Sequence, residues 1–300
     1  MNVRAPGKLV ITGAYAVLYG ARAVVLSVDR YARATSQLAR STSPEFRAAM
    51  PEGPWPVIDT TEMVQGGIKM GLGSSAASLV VALAMQSNAG NLSTEEVRRS
   101  LFDRAYAAHR VAQGGGSGVD IAASVWGGAQ VLTAGAKQRG SYAMPEGLRF
   151  RAYFSGASVK TSAYVARIEA SRSRPEVVHV LDELAVASER AASAFTSGSG
   201  DAFVDASASV REQLLKLGIA AEVPIITPAM NAFHERALAC GAVALPAGAG
   251  GGDVVVALTT HDNVNQIDEE GIRLGLTPLD LRLDHDGVTE ADVSQFVQES

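Results

Sequence analysis

The sequence predicts an α+β protein built as two lobes, residues 1–150 and residues 151–300, and two textures along the chain carry that reading. Short β-rich stretches dominate the first part: residues 9–12, 23–28 and 31–38, separated by turn-like residues. Long amphipathic stretches dominate the second: residues 161–170, 176–195, 202–217 and 228–240 place apolar side chains at helical spacing. Helices packed on one side of antiparallel sheets give an α+β architecture rather than a regular βαβ alternation.

The remaining elements follow in chain order. Residues 41–55 hold Pro44, Pro51 and Pro54, with Pro56 just beyond, and predict a surface loop bordering a site. Residues 74–86 are almost continuously apolar behind a Ser74-Ser75 pair, which predicts a buried helix. A second helix is expected over 94–113, with Thr94 as its cap, Glu95 and Glu96 in its first turn and Gly114 to end it. Residues 125–132 and 148–154 predict strands. Strand character resumes at 242–245 and 254–258, followed by a helix at 264–274 and a strand at 279–283. No repeat of solenoid period and no low-complexity run is present.

Composition limits the function classes. With 47% apolar residues the chain has ample material for a core, and a net charge of −5 provides no long-range attraction to nucleic acid or an anionic membrane. Any phosphate on a substrate must therefore meet a few local cations, and the expected partners are small molecules. Cys240 is the one cysteine, which rules out an internal disulfide and a multi-cysteine metal site, and predicts a small core residue in a reducing compartment. The stretch 1–7 has no apolar signal region, and the longest apolar run, near 79–85, is too short to span a bilayer, so a cytoplasmic protein is expected.

Chemistry is concentrated in glycine-rich stretches. Ala5-Pro6-Gly7-Lys8 leads into residues 9–13; Gly71-Leu72-Gly73-Ser74-Ser75-Ala76-Ala77 runs into the expected buried helix; and Ala247-Gly248-Ala249-Gly250-Gly251-Gly252-Asp253 lies between two strands. Between the last two is Gly116-Ser117-Gly118-Val119-Asp120. Glycines let backbone amides approach an anion closely, and a helix start behind them presents unpaired N–H groups, which is how a phosphate cradle is built. Gly71 to Ala76 also spells the Gly-x-Gly-x-x-Ala of a dinucleotide turn, but residues 66–70 make a poor buried strand before it and the first sixty residues or so read as β rather than βαβ. There is no Gly-Lys-Ser/Thr to make it a Walker loop. An ordinary tight turn capping a core helix is the plainer alternative, and the other three stretches weigh against it.

Taken together, these four stretches resemble the signature motifs of the GHMP kinases, the family of galactokinase, homoserine kinase, mevalonate kinase and phosphomevalonate kinase, over residues 5 to about 258. The resemblance implies an N-terminal ATP-binding lobe of the ribosomal S5 domain 2 type and a C-terminal ferredoxin-like α/β lobe. It implies that Gly71, Leu72, Gly73, Ser74, Ser75 and Ala76 wrap the ATP phosphates and that Ser75 helps hold Mg²⁺. It assigns catalysis to Asp120, as base or orienter beside the acceptor oxygen, and to Lys8, paired with it and facing the phosphates. Taken singly, Asp120 also reads as a helix cap and Lys8 as a solvated charge.

Local details resemble the phosphomevalonate kinase branch of that family. Gly13-Ala14-Tyr15-Ala16-Val17-Leu18 is similar to its Gly-x-Tyr-x-Val-Leu, Lys69 stands where that branch has a lysine before the loop, and His109-Arg110-Val111-Ala112-Gln113-Gly114 precedes the Asp120 turn. Mevalonate kinases carry a magnesium-binding Glu where this chain has His109, and an imidazole is a poor partner for so hard a cation. By the same resemblance the acceptor is a small phosphorylated hydroxy acid, to be met by Lys69, His109, Arg110, Ser117, Gly118, Lys160, Thr161, Gly248, Gly250 and Gly251. Lys69, Arg110 and Lys160 read equally well as solvated surface charges. Two polar groups usual in this branch are replaced: Gly115 stands where it has a lysine, and Leu245-Pro246-Ala247-Gly248 opens the third stretch. The implied activity is ATP-dependent phosphorylation of phosphomevalonate, with mevalonate as the alternative acceptor and a non-catalytic ligand sensor of the same fold as an alternative of another class. No motif points to nucleic acid or membrane, and the oligomeric state is not legible.

Overall fold

In the computed structural model, which describes residues 2–39, 43–49, 54–86 and 91–291, two long antiparallel strands organise the first sheet. β1 (Val3–Thr12) and β2 (Ala23–Ala39) pair through most of their length, and their alternating apolar residues cover both faces. The expected strands at 23–28 and 31–38 are thus one bent strand. The residues between them, Asp29 and Arg30, form a bulge: Pro6, which has no N–H for the ladder, faces Tyr31, whereas Gly7 already faces Val28.

The expected surface loop over 41–55 is also corrected. Pro44 opens α1 (Pro44–Ala49), and β3 (Trp55–Asp59) pairs with β2. Phe46 and Trp55 are both buried and stack with ring centroids 4.7 Å apart, so two apolar side chains draw in a segment whose prolines suggested solvent. Residues 41, 42 and 50–53 of that loop lie outside the described residues. A two-residue hairpin, β4 (Val64–Gln65) and β5 (Ile68–Lys69), leads to α2 (Ser74–Gln86).

α3 (Glu95–Gln113) begins as expected, with the Thr94 hydroxyl accepting from the Val97 amide, and stops at Gly114 with φ 72°. α4 (Val119–Trp126) then takes the first two residues of the stretch read as strand 125–132, leaving β6 (Ala129–Leu132). Trp126 stays helical because its ring packs at 5.0 Å from Phe102 on α3, and Gly127-Gly128 turns the corner. β7 (Arg139–Tyr142) completes this run.

The second part begins with β8 (Arg149–Phe154), followed by α5 (Thr161–Ala170), α6 (Pro175–Ser197), α7 (Gly200–Ala221) and α8 (Pro228–Ala239). β9 (Val243–Pro246), β10 (Val254–Thr259), α9 (Val264–Arg273) and β11 (Thr277–Leu279) follow. Their strands make an antiparallel sheet in the order β11-β8-β10-β9. The strand expected at 279–283 ends at Leu279, and the chain then runs back to the first sheet, where β12 (Thr289–Glu290) pairs with β1. The first sheet therefore has the order β12-β1-β2-β6-β7, with β3 also on β2. Cys240 is half-buried at the edge of the core that α8 forms with β9 and β10. No helix among the described residues is long and apolar enough to cross a membrane.

The two sheets share a core. Leu9, Ile11 and Leu26 from one face of the first sheet pack with Phe154, Leu245 and Val254 of the second and with Leu184, Phe195, Phe203 and Leu214 of α6 and α7. Val10, Val25 and Ala32 on the opposite face pack on Leu79, Leu83 and Phe102 of α2 and α3. Each such large side chain contributes about 1.5–3 kcal/mol when withdrawn from water.

One polar group in the smaller core makes stability depend on pH. His234 is 9% exposed, and its Nδ1 accepts a hydrogen bond from the Ala244 amide at 3.2 Å. Burial, reinforced by the charge of Arg211, pushes its pKa down to about 4. Because the unfolded chain takes up that proton first, the contribution of neutral His234 is whole above about pH 6.5 and is lost as pH falls toward 4. We expect the urea midpoint of unfolding to fall over this interval, by the equivalent of about 3 kcal/mol at most from this group. His234→Gln, whose amide oxygen can accept from Ala244 without titrating, should show a visibly shallower fall; equal slopes in the two proteins would disprove the assignment.

Candidate active site

Lys8 is the residue from which the site is built. It lies on β1 with 6% exposure, its backbone N–H donates to the Leu72 carbonyl at 2.9 Å, and its Nζ donates to the Gly71 carbonyl at 3.0 Å. One strand residue thus holds the Gly71–Gly73 loop twice. The close lie of loop on strand depends on Gly7, where a Cβ would stand 2.8 Å from the Leu72 carbonyl oxygen. The Lys8 ammonium also stands 3.8 Å from Asp120 Oδ1. Asp120 sits in the first turn of α4 behind Gly118, and its side chain is 36% exposed against 8% for that of Lys8. The pair therefore joins a buried cation to a partly exposed carboxylate.

Two helix starts face this pair from the sequence stretches that form it. α2 begins at Ser74 directly behind the Gly71–Gly73 loop, with Ser74 half-buried and Ser75 exposed. The Gly116–Gly118 turn before α4 is held from outside: Tyr106 donates its hydroxyl to the Gly116 carbonyl at 3.3 Å, and the Gly135 amide donates to the Ser117 carbonyl at 2.8 Å. The first turns of both helices leave N–H groups without helical partners.

The third glycine stretch closes the far side. It leaves β9 and rejoins β10, with the Ala247 amide on the Val254 carbonyl at 2.9 Å, and brings Gly248 to within 4.0 Å of Lys8 Nζ, measured from the position a Cβ would occupy. Gly250 and Gly251 are packed inward: the Gly251 amide donates to the Ile225 carbonyl at 2.8 Å, and a Cβ on Gly251 would enter the ring of Tyr164. These two glycines serve the packing of the loop as well as its approach to a ligand.

Two residues outside the expected set hold this loop. Tyr15, buried, donates its hydroxyl to the Ala249 carbonyl at 2.6 Å. Its backbone has φ 62° and ψ −54°, and the Ala16 amide bonds back to Ala14 at 2.8 Å, a γ-turn of the strained hand. Burial, with Tyr164 beside it, raises the Tyr15 hydroxyl above the usual range, so it remains a donor. Asp253 follows the last glycine at φ 53° and lies so close to Gly71 that a Cβ there would be 2.5 Å from its carboxyl carbon. Burial raises the Asp253 pKa, opposed by hydrogen bonds from Ser158 and Val159 and by the Lys8 charge. Both residues stand inside stretches that the motifs single out; the acidic side chain after a run of glycines is the signal available for Asp253.

The other expected residues lie around this centre without joining it. His109 is half-buried on α3 beside Gly116, and its Nδ1 is buried without a hydrogen-bond partner. Arg110 is exposed, with its guanidinium 5.6 Å over the Tyr106 ring. Lys69 is exposed on β5, and Lys160 and Thr161 are exposed where α5 begins. Among the described residues, none of these five makes a hydrogen bond or ion pair with Lys8 or Asp120.

Comparison with known proteins places this arrangement. Residues 52–128, which contain the Gly71–Ala76 loop and Asp120, match the model of the GHMP kinases N terminal domain. The phosphomevalonate kinase of Streptomyces sp. (strain CL190) is 28% identical over 252 residues, 74% of this chain, and the chain spans 66% of that protein's length, just under two thirds. A solved structure of a Listeria innocua protein superposes with a TM-score of 0.84 at 22% identity, covering 97% of this chain and 99% of its own. The Streptococcus pneumoniae phosphomevalonate kinase, solved with phosphomevalonate and AMPPNP, superposes with a TM-score of 0.74 at 19% identity, covering 94% of this chain and 99% of its own. The chain as a whole has the fold of the GHMP kinases.

Proposed function

We propose that this protein is a cytoplasmic ATP-dependent kinase that transfers the γ-phosphoryl group of ATP to the phosphate of phosphomevalonate, giving the diphosphate, in the mevalonate route to isoprenoids. The observation that carries this reading is the buried Lys8 ammonium, held at 3.0 Å on the Gly71 carbonyl and 3.8 Å from Asp120. The phosphomevalonate kinases of Streptomyces and Streptococcus that the chain resembles support it, as does the likeness of Tyr15 and Lys69 to that branch. In this reading residues 1–150 make the ATP-binding lobe and residues 151–300 the lobe that completes the acceptor side.

Phosphoryl transfer asks for charge neutralisation and an in-line acceptor more than for covalent help. The residues present suit a nucleotide triphosphate: Gly71, Leu72, Gly73, Ser74, Ser75 and Ala76 offer backbone amides at a helix start, and Gly7 lets that loop lie flat on β1. Lys8 spends one N–H on Gly71 and keeps its other donors for the phosphate oxygens. Magnesium, when bound, spreads the charge of the phosphates, and the exposed hydroxyl of Ser75 is the group that would hold it together with phosphate and water oxygens. Among the described residues no three His, Cys, Asp or Glu side chains gather to hold a metal by themselves. Because the acceptor phosphate is already an anion at neutral pH, Asp120 orients it and fixes Lys8 rather than removing a proton. The acceptor's own charge falls to Lys69, Arg110 and Lys160, with His109, Ser117, Gly118, Thr161, Gly248, Gly250 and Gly251 lining its approach.

Release of ADP from Mg-ATP, followed in parallel with phosphomevalonate, with mevalonate and with no acceptor, tests the reading directly. ADP release confined to phosphomevalonate is the expected result. Release with mevalonate alone would make the protein a mevalonate kinase, and nucleotide binding without turnover on either acceptor would make it a sensor. Within the active protein, Lys8→Met and Asp120→Asn should each lower kcat by about 100-fold or more while the fold is retained. Turnover near that of the unaltered protein in either variant would remove that residue from the mechanism.

A further inference from the structure

We propose that Asp253 is the positioning residue that sets the acceptor side of the site, acting as the tether of residues 155–160; this deepens the kinase reading above and rests on it. The segment joins β8 to α5 and ends at Lys160, directly before Thr161. Its long-range hydrogen bonds among the described residues all run to one amino acid. The Ser155 amide donates to the Asp253 carbonyl at 2.9 Å, the Asp253 amide donates to the Ala157 carbonyl at 2.8 Å, and the Val159 amide donates to Asp253 Oδ1 at 3.3 Å. Ser158 adds a side-chain hydrogen bond to the same carboxylate.

The carboxylate also has a fixed back wall. It packs against Gly71, where a Cβ would come within 2.6 Å of Oδ2, and Gly71 is the residue whose carbonyl Lys8 holds. Asp253 therefore stands between the nucleotide loop and the segment leading to α5, with the Lys8 ammonium near enough to act on its charge. The two sides differ in how they depend on it. The nucleotide loop has anchors of its own in the Lys8 N–H on Leu72 and Lys8 Nζ on Gly71, whereas among the described residues the hydrogen bonds that residues 155–160 make beyond their own turn and the start of α5 all run to Asp253. Asp253 accepts a left-handed backbone, φ 53°, in order to stand there, a conformation that Asp and Asn tolerate better than other side chains.

It follows that loss of the carboxylate should act on the acceptor and spare ATP. Asp253→Gly removes the side chain at no backbone cost at this φ, and Asp253→Asn keeps an oxygen for the Val159 amide in the same conformation. In Asp253→Gly we expect the KM for phosphomevalonate to rise about tenfold or more while the KM for ATP stays within about threefold; Asp253→Asn should recover most of the loss. Hydrogen exchange of the segment 155–163 should quicken about tenfold in Asp253→Gly with little change over residues 71–86. Equal rises in both KM values, or unchanged exchange over 155–163, would overturn the proposal. Should the unaltered protein phosphorylate neither phosphomevalonate nor mevalonate, the kinase reading falls, and the exchange measurement alone decides whether Asp253 tethers the segment.

Discussion

The placement of one buried cation constrains most of this structure. An ammonium group withdrawn from water is unfavourable by several kcal/mol unless its donors are met and its charge is balanced. Lys8 meets that condition through the Gly71 carbonyl, Asp120 and the nearby Asp253, which belong to a loop, a helix start and a second loop far apart in sequence. None of these can shift without leaving the ammonium less well paired. The register of β1, which decides that residue 8 and not its neighbour points to this side, is in turn fixed by Leu9 and Ile11 entering the core shared by the two sheets.

The spacing of Lys8 and Asp120 is then a question of how α4 is held against β1. Two buried hydroxyls answer it: Ser124 donates to the Pro6 carbonyl at 2.9 Å, and Ser27 on β2 donates to the Ala123 carbonyl at 3.0 Å. Ser124 lies one helical turn after Asp120, and Pro6 lies two residues before Lys8. Pro6 gives no N–H to the ladder, so its carbonyl and the adjacent bulge at Asp29 and Arg30 mark a place where the sheet gives up regular pairing to receive a helix. A polar contact of this kind is worth only about 1 kcal/mol in net stability, and its value here lies in the distance it fixes.

Most of the architecture was legible from periodicity and glycine punctuation. Residues 74–86 were delimited correctly because a continuous apolar run followed a Gly-Ser boundary, and α3 because Thr94 and Gly114 mark its ends by local chemistry. The errors came where distant contacts override local preference. Phe46 stacking on Trp55 turns a proline-rich loop into a helix and a strand; Trp126 packing on Phe102 extends a helix into a stretch with β-forming residues. The return of β12 to β1 could not be seen at all, since Thr289 and Glu290 meet Arg4 and Val3 across nearly the full chain. At the candidate site the motif residues could be named, but their partners could not: nothing local in the sequence says that Tyr15 reaches Ala249 or that Asp253 gathers residues 155–159.

The final segment shows why those distant contacts matter to the chemistry. Asp284, 5% exposed, takes the Gly287 amide at 2.8 Å and the Tyr31 hydroxyl at 2.9 Å on its carboxylate, while its backbone donates to Ser27 and accepts from Gly128. Tyr31 is itself covered by Arg4 at 4.5 Å and Arg33 at 5.1 Å. Ser27 bonds to Ala123 near the end of α4, Gly128 follows that end, and the Val288 amide donates to the Val125 carbonyl at 3.3 Å, so the strap of residues 281–291 holds the C-terminal end of the helix that carries Asp120. A strained γ-turn at Tyr15 and a left-handed Asp253 can persist only in surroundings so fully determined. In the proposed kinase reading, surroundings so fully determined would hold the ammonium and the helix-start dipoles in fixed places, the condition under which they are most effective on a phosphoryl group.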